Sequence, residues 1–406
     1  MQVPLAILLL DLDRFRDVND TLGFSVGDEL LTAVARRLSD RLRVGDAVAR
    51  LGGDEFLLFV HLAEDAGEAA VVAQRLLDSF ALPFPVGDRE IYVTATLGIT
   101  LFPADGQGLD STLRRAHMAL ADAKRAEPGG FRFYSPEMER QVALRQEIEN
   151  NLMPGLERGE FSVHYQPKIS TVDGRVVGLE ALVRWNSPVS GMVPPSLFIP
   201  LAEERGFIVP LGAWVLRTAV AQAKAWLDQG FEELVVSVNL SGRQLANREI
   251  VTTVKETLAA SGLPASLLEL EVTETAVMAD IERSLLVLEE LAALGVNLSL
   301  DDFGSGYSSL SYLNRLPVNR IKIDREFVKE VGETTDDSVI ARAAIAMGHT
   351  LGLLVIAEGA ETVKQVSFLH DNGCDEIQGY YYSPPVPAER LQVMLAANGK
   401  RKPTSA

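Results

Sequence analysis

Seven short apolar segments between Phe161 and Gln378 each deliver an acid, an amide or a lysine near their carboxyl ends. In chain order these residues are Gln166, Glu180, Asn239, Glu271, the pair Asp301–Asp302, Lys322 and Glu358, and Gln378 follows in a short eighth segment. Stretches such as LVVSVN, LLELEV, VNLSLDD, RIKID and LLVIAE are apolar until the functional group arrives, and amphipathic stretches separate them. Strands alternating with helices predict a parallel sheet. With polar residues gathered at one end of many strands, the economical fold is a TIM-type (β/α)8 barrel with its site on that face. Carboxylates from several strands cannot share so small a space unless cations lie between them. The pattern asks for metal.

The rest of the chain narrows the choice of partners. Its 406 residues, 47 % hydrophobic, suffice for two or three domains. A net charge of −18 argues against a nonspecific binder of nucleic-acid polymers. A small anion is still compatible, because a local cluster of metal, Arg and Lys binds it whatever the global charge. The single cysteine, Cys374, forms no internal disulfide and fits a reducing cytoplasm. The opening apolar run, Leu5 to Leu10, stops at Asp11 and is too short for a membrane span. The expectation is a cytoplasmic chain without a membrane segment, with any sensor upstream of Met1.

After FRFYSPEM (Phe131 to Met138) comes a polar stretch with Val142, Leu144, Ile148 and Leu152 at roughly helical spacing. The domain plan is an α+β unit over residues 1–135, a linker helix within 136–158, the barrel over 159–399 and a polar tail from 400 to 406.

In the first unit RLGGDEFLLFV (Arg50 to Val60) predicts strand, tight turn, strand, with Gly52 and Gly53 at the turn and Asp54 and Glu55 at its tip. A solvated hairpin tip is the plain reading. The strand AILLL, however, ends in Asp11-Leu12-Asp13, a second acidic end able to share a metal with Asp54, and Asn19 and Asp28 follow, suited to a guanine edge. With the DLDRF, VND and GD blocks and the helix motif ALADAK, residues 5 to about 134 resemble a GGDEF domain. The resemblance implies the nucleotide-cyclase-like, ferredoxin- or palm-like fold of diguanylate cyclases. It implies GTP with Mg²⁺ as ligand, Asp11 and Asp54 on the metal, Glu55 near the reacting hydroxyl, Asn19 and Asp28 on guanine, and Lys124 on phosphate. Arg43 and Asp46, an RxxD just before the glycine pair, resemble the family's product-inhibition site. The departures are Arg16, Phe24, His117, Ala121 and Pro128, where the family usually has Lys, His, Asp, Tyr and Arg, and the chain also starts late for the family. The expectation is GTP binding that outlasts cyclisation.

The second unit carries YQPK (Tyr165 to Lys168), Glu180-Ala181-Leu182, SVNLS (Ser237 to Ser241), EVTET (Glu271 to Thr275), DDFGSGYSSLSYL (Asp301 to Leu313), IKID (Ile321 to Asp324), AEGAET (Ala357 to Thr362) and QGYYYS (Gln378 to Ser383). Eight blocks in this order resemble an EAL-type cyclic di-GMP phosphodiesterase. The five histidines form no motif, and the oxygen and amide donors favour two hard cations, Mg²⁺ or Mn²⁺. Glu180, Asn239, Glu271 and Asp301 are expected on one ion, and Asp301 with Asp302 on a second, for an in-line displacement. Lys322 is expected to orient or deprotonate the attacking water, with its pKa lowered by neighbouring cations, and Glu358 and Gln378 to hold metal-bound water. Gln166, Leu182, Arg184 and Gln378 are expected on the dinucleotide, with Lys168 adding a polar contact, and Glu274 as anchor of the glycine-bearing loop after Asp302. The plainer alternatives are a salt bridge from Lys322 to Asp324, acidic strand ends acting as helix caps, and one of Tyr380, Tyr381 and Tyr382 turned into the core. The implied activity is hydrolysis of cyclic di-GMP to 5′-pGpG by a barrel-mediated homodimer, with the first unit regulatory. A non-catalytic receptor and a bifunctional cyclase/phosphodiesterase are the alternatives.

Overall fold

A computed structural model describes residues 5–62, 66–231, 234–304, 313, 315–329, 331 and 338–398. The chain divides into two units, Met1–Gln146 and Glu147–Ala406. Among the described residues no helix is long and apolar enough to cross a membrane.

The first unit is organised by its opening apolar run. Strands β1 (Leu5–Leu12), β2 (Ala47–Gly52), β3 (Glu55–His61), β6 (Ala95–Phe102) and β7 (Phe131–Phe133) form one sheet in the order β2-β3-β1-β6-β7, and β4 (Phe84–Val86) pairs with β5 (Arg89–Ile91) apart from it. Central β1 is buried on both faces because helices cover both. Ala6, Leu8 and Leu10 pack with Leu30, Val34 and Val72 of helices Phe24–Asp40 and Ala66–Asp78, whereas Ile7 and Leu9 pack with Ala116 and Leu120 of helix Leu109–Ala126. By the two-residue alternation of a strand, Asp11 belongs to the second face. It therefore looks toward the helix whose last turn carries Lys124.

Helix Pro136–Glu157 follows and starts three residues before the polar stretch read from the sequence. The second unit is the expected barrel. Strands β8 (Phe161–Ser170), β9 (Val176–Ser187), β11 (Val235–Leu240), β12 (Leu268–Thr273), β13 (Asn297–Phe303), β14 (Arg320–Ile323), β15 (Leu354–Ala357) and β16 (Glu376–Ile377) close on themselves. The short β10 (Gly191–Val193) and β17 (Val386–Pro387) extend the rim. The sheet differs from the expected all-parallel one in β8, which runs antiparallel to both β9 and β16. The physical reason is the connection: β8 and β9 are joined by residues 171–175 alone, and a parallel crossover needs about a dozen residues or more. Outward-facing Val236, Val238, Leu268, Leu270, Leu298, Leu300, Ile321 and Ile323 are buried in the core, each contributing about 1.5–3 kcal/mol of burial. The inward positions between them are polar.

Candidate active site at the barrel mouth

Register explains how distant blocks meet. Asn239 pairs with Glu271 across β11 and β12, and Gln166 pairs with Glu180 across β8 and β9. Since β8 is inverted, Gln166 reaches the mouth from mid-strand, not from a carboxyl end as the sequence suggested. Glu358 and Gln378 follow directly after β15 and β16. Adjacent Asp301 and Asp302 would ordinarily face opposite sides of a strand. Here the register between β13 and β14 shifts between Leu300 and Phe303, and Asp302 takes the left-handed φ of 55°. That bulge lets both carboxylates serve the mouth.

Lys322 stands at the centre. Its Nζ lies 2.5 Å from Glu271, 2.5 Å from Glu358, 3.3 Å from Asp301 and 3.7 Å from Glu180. The alternative partner Asp324 is engaged otherwise, its Oδ1 accepting from the backbone N–H of Glu326. Burial is the largest single influence on Lys322 and pulls its pKa down, yet the surrounding carboxylates together raise it well above the usual lysine value. Among carboxylates alone Lys322 is thus a cation, and the expected lowering depends on the cations that the resemblance implies. Burial likewise pushes Asp302 up to about 6 and Glu358 up to about 8, with Asp301 adding repulsion to each, and it raises Asp301 too. These carboxylates resist ionising together.

Amides complete the wall. Asn239 Nδ2 donates to Glu180 at 2.7 Å, Gln378 Nε2 donates to Glu180 at 2.5 Å and to Gln166 at 3.0 Å, and Gln166 Nε2 donates to the Ser383 carbonyl. Gln378 Oε1 is buried with no partner among the described residues. Arg184 donates to the Val183 carbonyl and lies near Tyr380 and Glu180, on the same strand face as Leu182. Of the three tyrosines only Tyr382 packs against the core. Glu274 accepts from the Gly304 N–H at 3.3 Å, at the base of the loop it was expected to anchor. Ser305 and Gly306 lie outside the described residues. Among those described, no three Asp, Glu, His or Cys side chains form a ready metal cage; the carboxylates gather round an ammonium instead.

The sequence reading missed the layer beneath. Lys168 does not reach the mouth as a ligand contact. It is 2 % exposed and its Nζ donates to Ser237, Glu269 and Glu271 at 2.6, 2.7 and 2.6 Å. Arg320 bonds Glu269 and lies 3.4 Å from Glu376. The signal was present: VSVN, LELE, LSLD, RIK and EIQ each carry a polar residue two positions before the mouth residue, hence on the same face.

In the first unit Asp11 lies 2.5 Å from Lys124 and is paired in register with Glu55. Burial raises the Asp11 pKa, Lys124 opposes this, and Asp54 and Glu55 add to it. Of the two turn glycines, Gly53 alone has positive φ, 53°. His117 stands 3.5 Å from Glu55, at a position where the GGDEF family usually has an acid. Asn19 sits so close to Gly27 that a Cβ there would come within 2.0 Å of its Oδ1, whereas Asp28 is exposed. The proposed inhibitory pair serves the local fold: Asp46 accepts from the N–H groups of Arg43 and His61, and Arg43 bonds Glu68. A groove of about 650 Å³ in this unit is lined by Asp13, Arg14, Tyr92, Thr94 and Pro128, beside rather than over the Asp11 cluster.

Comparison with known proteins agrees with this anatomy. Residues 147–385 match the EAL domain family, and residues 1–129 match the family described as diguanylate cyclase, GGDEF domain. The bifunctional diguanylate cyclase/cyclic di-GMP phosphodiesterase MucR of Pseudomonas aeruginosa is 42 % identical over 96 % of this chain and 57 % of its own length. The cyclic di-GMP phosphodiesterase PdeR of Escherichia coli is 41 % identical over 94 % of this chain and 57 % of its own. The chain spans about half the length of the curated relatives it matches. Among solved structures, a PaMucR phosphodiesterase in complex with c-di-GMP is 45 % identical, covers 60 % of this chain and 99 % of its own, and gives a TM-score of 0.59.

Proposed function

The chain belongs to the EAL domain family and carries a GGDEF domain ahead of its barrel, and from that premise we propose that the barrel hydrolyses cyclic di-GMP to linear 5′-pGpG with divalent cations. One observation carries the reading: five carboxylates converge on a mouth whose central cation, among the described residues, is Lys322. Carboxylates thus outnumber the mouth's cations, an excess that divalent cations would offset. The raised pKa values of Asp301, Asp302 and Glu358 and the unpartnered Gln378 Oε1 fit a site made for such ions. Glu180, Asn239, Glu271, Asp301 and Asp302 would hold them. When bound they would supply positive charge for in-line displacement at phosphorus and favour ionised water near neutral pH.

The chain's own groups divide the remaining work. Arg184 offers a planar fork to a phosphate, and Leu182 and Gln166 lie on the flanking strands that would seat the dinucleotide. Lys322 Nζ orients the attacking water, and Glu358, 2.5 Å from that Nζ and not among the cation ligands, is the carboxylate that shares a proton with it. Product chromatography with Mg²⁺ or Mn²⁺ tests the assignment. Appearance of 5′-pGpG from the parent but not from Glu180→Ala supports it; binding without product would leave a receptor.

The Asp11–Lys124 pair and the Asn19–Gly27 packing support a second role. The first unit binds GTP with Mg²⁺ and modulates the barrel rather than cyclising. Millimolar GTP that changes neither KM nor kcat would exclude modulation, and conversion of GTP to cyclic di-GMP would show a bifunctional protein. Dimerisation through the barrel is tested by sedimentation.

A further inference from the structure

We infer that Lys168 is a positioning residue for Glu271: a buried polar layer beneath the mouth grips one Glu271 oxygen and so presents the other to a cation. The inference rests on Glu271 being a cation ligand under the proposed function.

The layer is continuous. Glu376 meets Arg320, Arg320 meets Glu269, and Glu269 Oε1 meets Lys168 Nζ at 2.7 Å. Ser237 Oγ accepts from Lys168 and donates to the same Glu269 oxygen, both at 2.6 Å, which fixes the ammonium from two sides. Two cations face two anions, so the layer is electrically balanced without help from the mouth. Folding alone would be served by the Lys168–Glu269 pair. Yet Lys168 makes one contact more, to Glu271 Oε1 at 2.6 Å, while Glu271 Oε2 is held by Lys322 at 2.5 Å.

These two grips differ in kind. Lys322 is shared among four carboxylates at the mouth, and Glu271 Oε2 is the oxygen that faces it. Lys168 comes from the inverted strand β8, one layer deeper, and cannot follow. Its stem occupies the space opposite Gly178, where a Cβ would sit 3.4 Å from Lys168 Cδ and 3.1 Å from the Val235 carbonyl oxygen. A carboxylate pinned at Oε1 keeps its plane and its reach when Oε2 changes partner. A partner behind a ligand that sets its orientation commonly matters about 10- to 100-fold in metal affinity.

The test uses the full chain in an Asp11→Ala/Asp54→Ala background, so that Mn²⁺ calorimetry reads the barrel. Lys168→Met alone strands two buried carboxylates, so the informative variant is Lys168→Met/Glu269→Gln, which keeps the layer neutral. It should melt close to the parent in EDTA yet bind Mn²⁺ about 10-fold or more weakly. Parent affinity in that folded variant would overturn the inference and leave the layer as scaffolding. Should the double variant fail to fold, Ser237→Ala decides by removing one acceptor of Lys168 and one donor to its partner Glu269, with both charges kept: about threefold weaker Mn²⁺ binding at an unchanged Tm supports positioning, and unchanged binding refutes it. Glu271→Gln separates the premise. If that variant binds Mn²⁺ as the parent does, Glu271 is no ligand, and the inference falls with the reading beneath it.

Discussion

Each unit sets a lysine against carboxylates, but the two clusters are built differently. In the barrel Lys322 is 1 % exposed and its charge is shared by residues from four other strands or strand ends. In the first unit Lys124 reaches Asp11 from the end of a surface helix, with 39 % of its side chain exposed. The barrel cluster is wired into the core, so its chemistry and its folding are coupled. The hairpin cluster hangs on a turn and a helix end, where the lysine is half-exposed although Asp11 is buried, so fewer charges are committed to the core. All five departures from the GGDEF pattern, Arg16, Phe24, His117, Ala121 and Pro128, stand at exposed positions. Nothing in the packing opposes their replacement.

The largest expected effect separates the clusters by activity. Glu180→Ala should lower kcat/KM for cyclic di-GMP by about 1,000-fold or more, about 4 kcal/mol of transition-state stabilisation, with an unchanged circular-dichroism spectrum. Asp54→Ala should change the same parameter less than about twofold. Comparable losses in both would break the division of labour.

Next comes stability. Lys322→Met leaves four carboxylates facing one another and should cost about 3–5 kcal/mol, the usual penalty for breaking a buried pair. Thermal melting should show the fall, and Mn²⁺ should recover more of it than it adds to the parent. Lys124→Met, by contrast, strands only Asp11, whose side chain is 12 % exposed, and should cost less, about 1–2 kcal/mol.

Proton linkage sharpens the contrast further. Glu358 ionises near 4.5 when unfolded and near 8 when folded, and Asp302 near 3.8 and 6. Between those limits the unfolded chain releases protons that the folded chain keeps, so the metal-free protein should lose stability as pH rises from about 4.5 to 8. Glu269, held below the ordinary carboxylate range because Lys168 and Arg320 outweigh its burial, acts oppositely, and its contribution is lost only on acidification below that window. Melting in EDTA across pH 5–8 should show the decline. Mg²⁺ should flatten it, since bound carboxylates are ionised throughout. A flat profile in EDTA would mean that the mouth carboxylates are not strained.

The smallest effect concerns the RxxD pair. Asp46→Ala removes acceptors of two backbone N–H groups and should destabilise the first unit by about 1–2 kcal/mol in denaturant melts. Arg43→Ala should cost less than about 0.5 kcal/mol, since Arg43 is itself exposed in its pair with Glu68. Product inhibition lost in Arg43→Ala without loss of stability would restore a ligand role to that pair.

Much of this was legible in order along the chain. Alternating apolar stretches ending in Glu180, Asn239, Glu271, Asp301 and Lys322 specify strands, their shared face and a barrel, because a period of two places every second residue on one side. What escaped was depth. LELE reads as two acids on one face, but only three-dimensional register shows that Glu271 is at the mouth and Glu269 lies a layer below with Lys168. Direction escaped as well, since the inversion of β8 follows from a short connection that local propensity does not weigh.

By itself, then, the sequence determined which residues are polar, which strand face they share, and hence that carboxylates would crowd one end of a barrel. Tertiary structure alone decided which charge meets which. Lys322 became the hub and Lys168 the buried pin because ion pairing depends on distances of 2.5–3.7 Å between strands far apart in the chain. Those distances are set by closure, stagger and the bulge at Asp302, which no local pattern encodes.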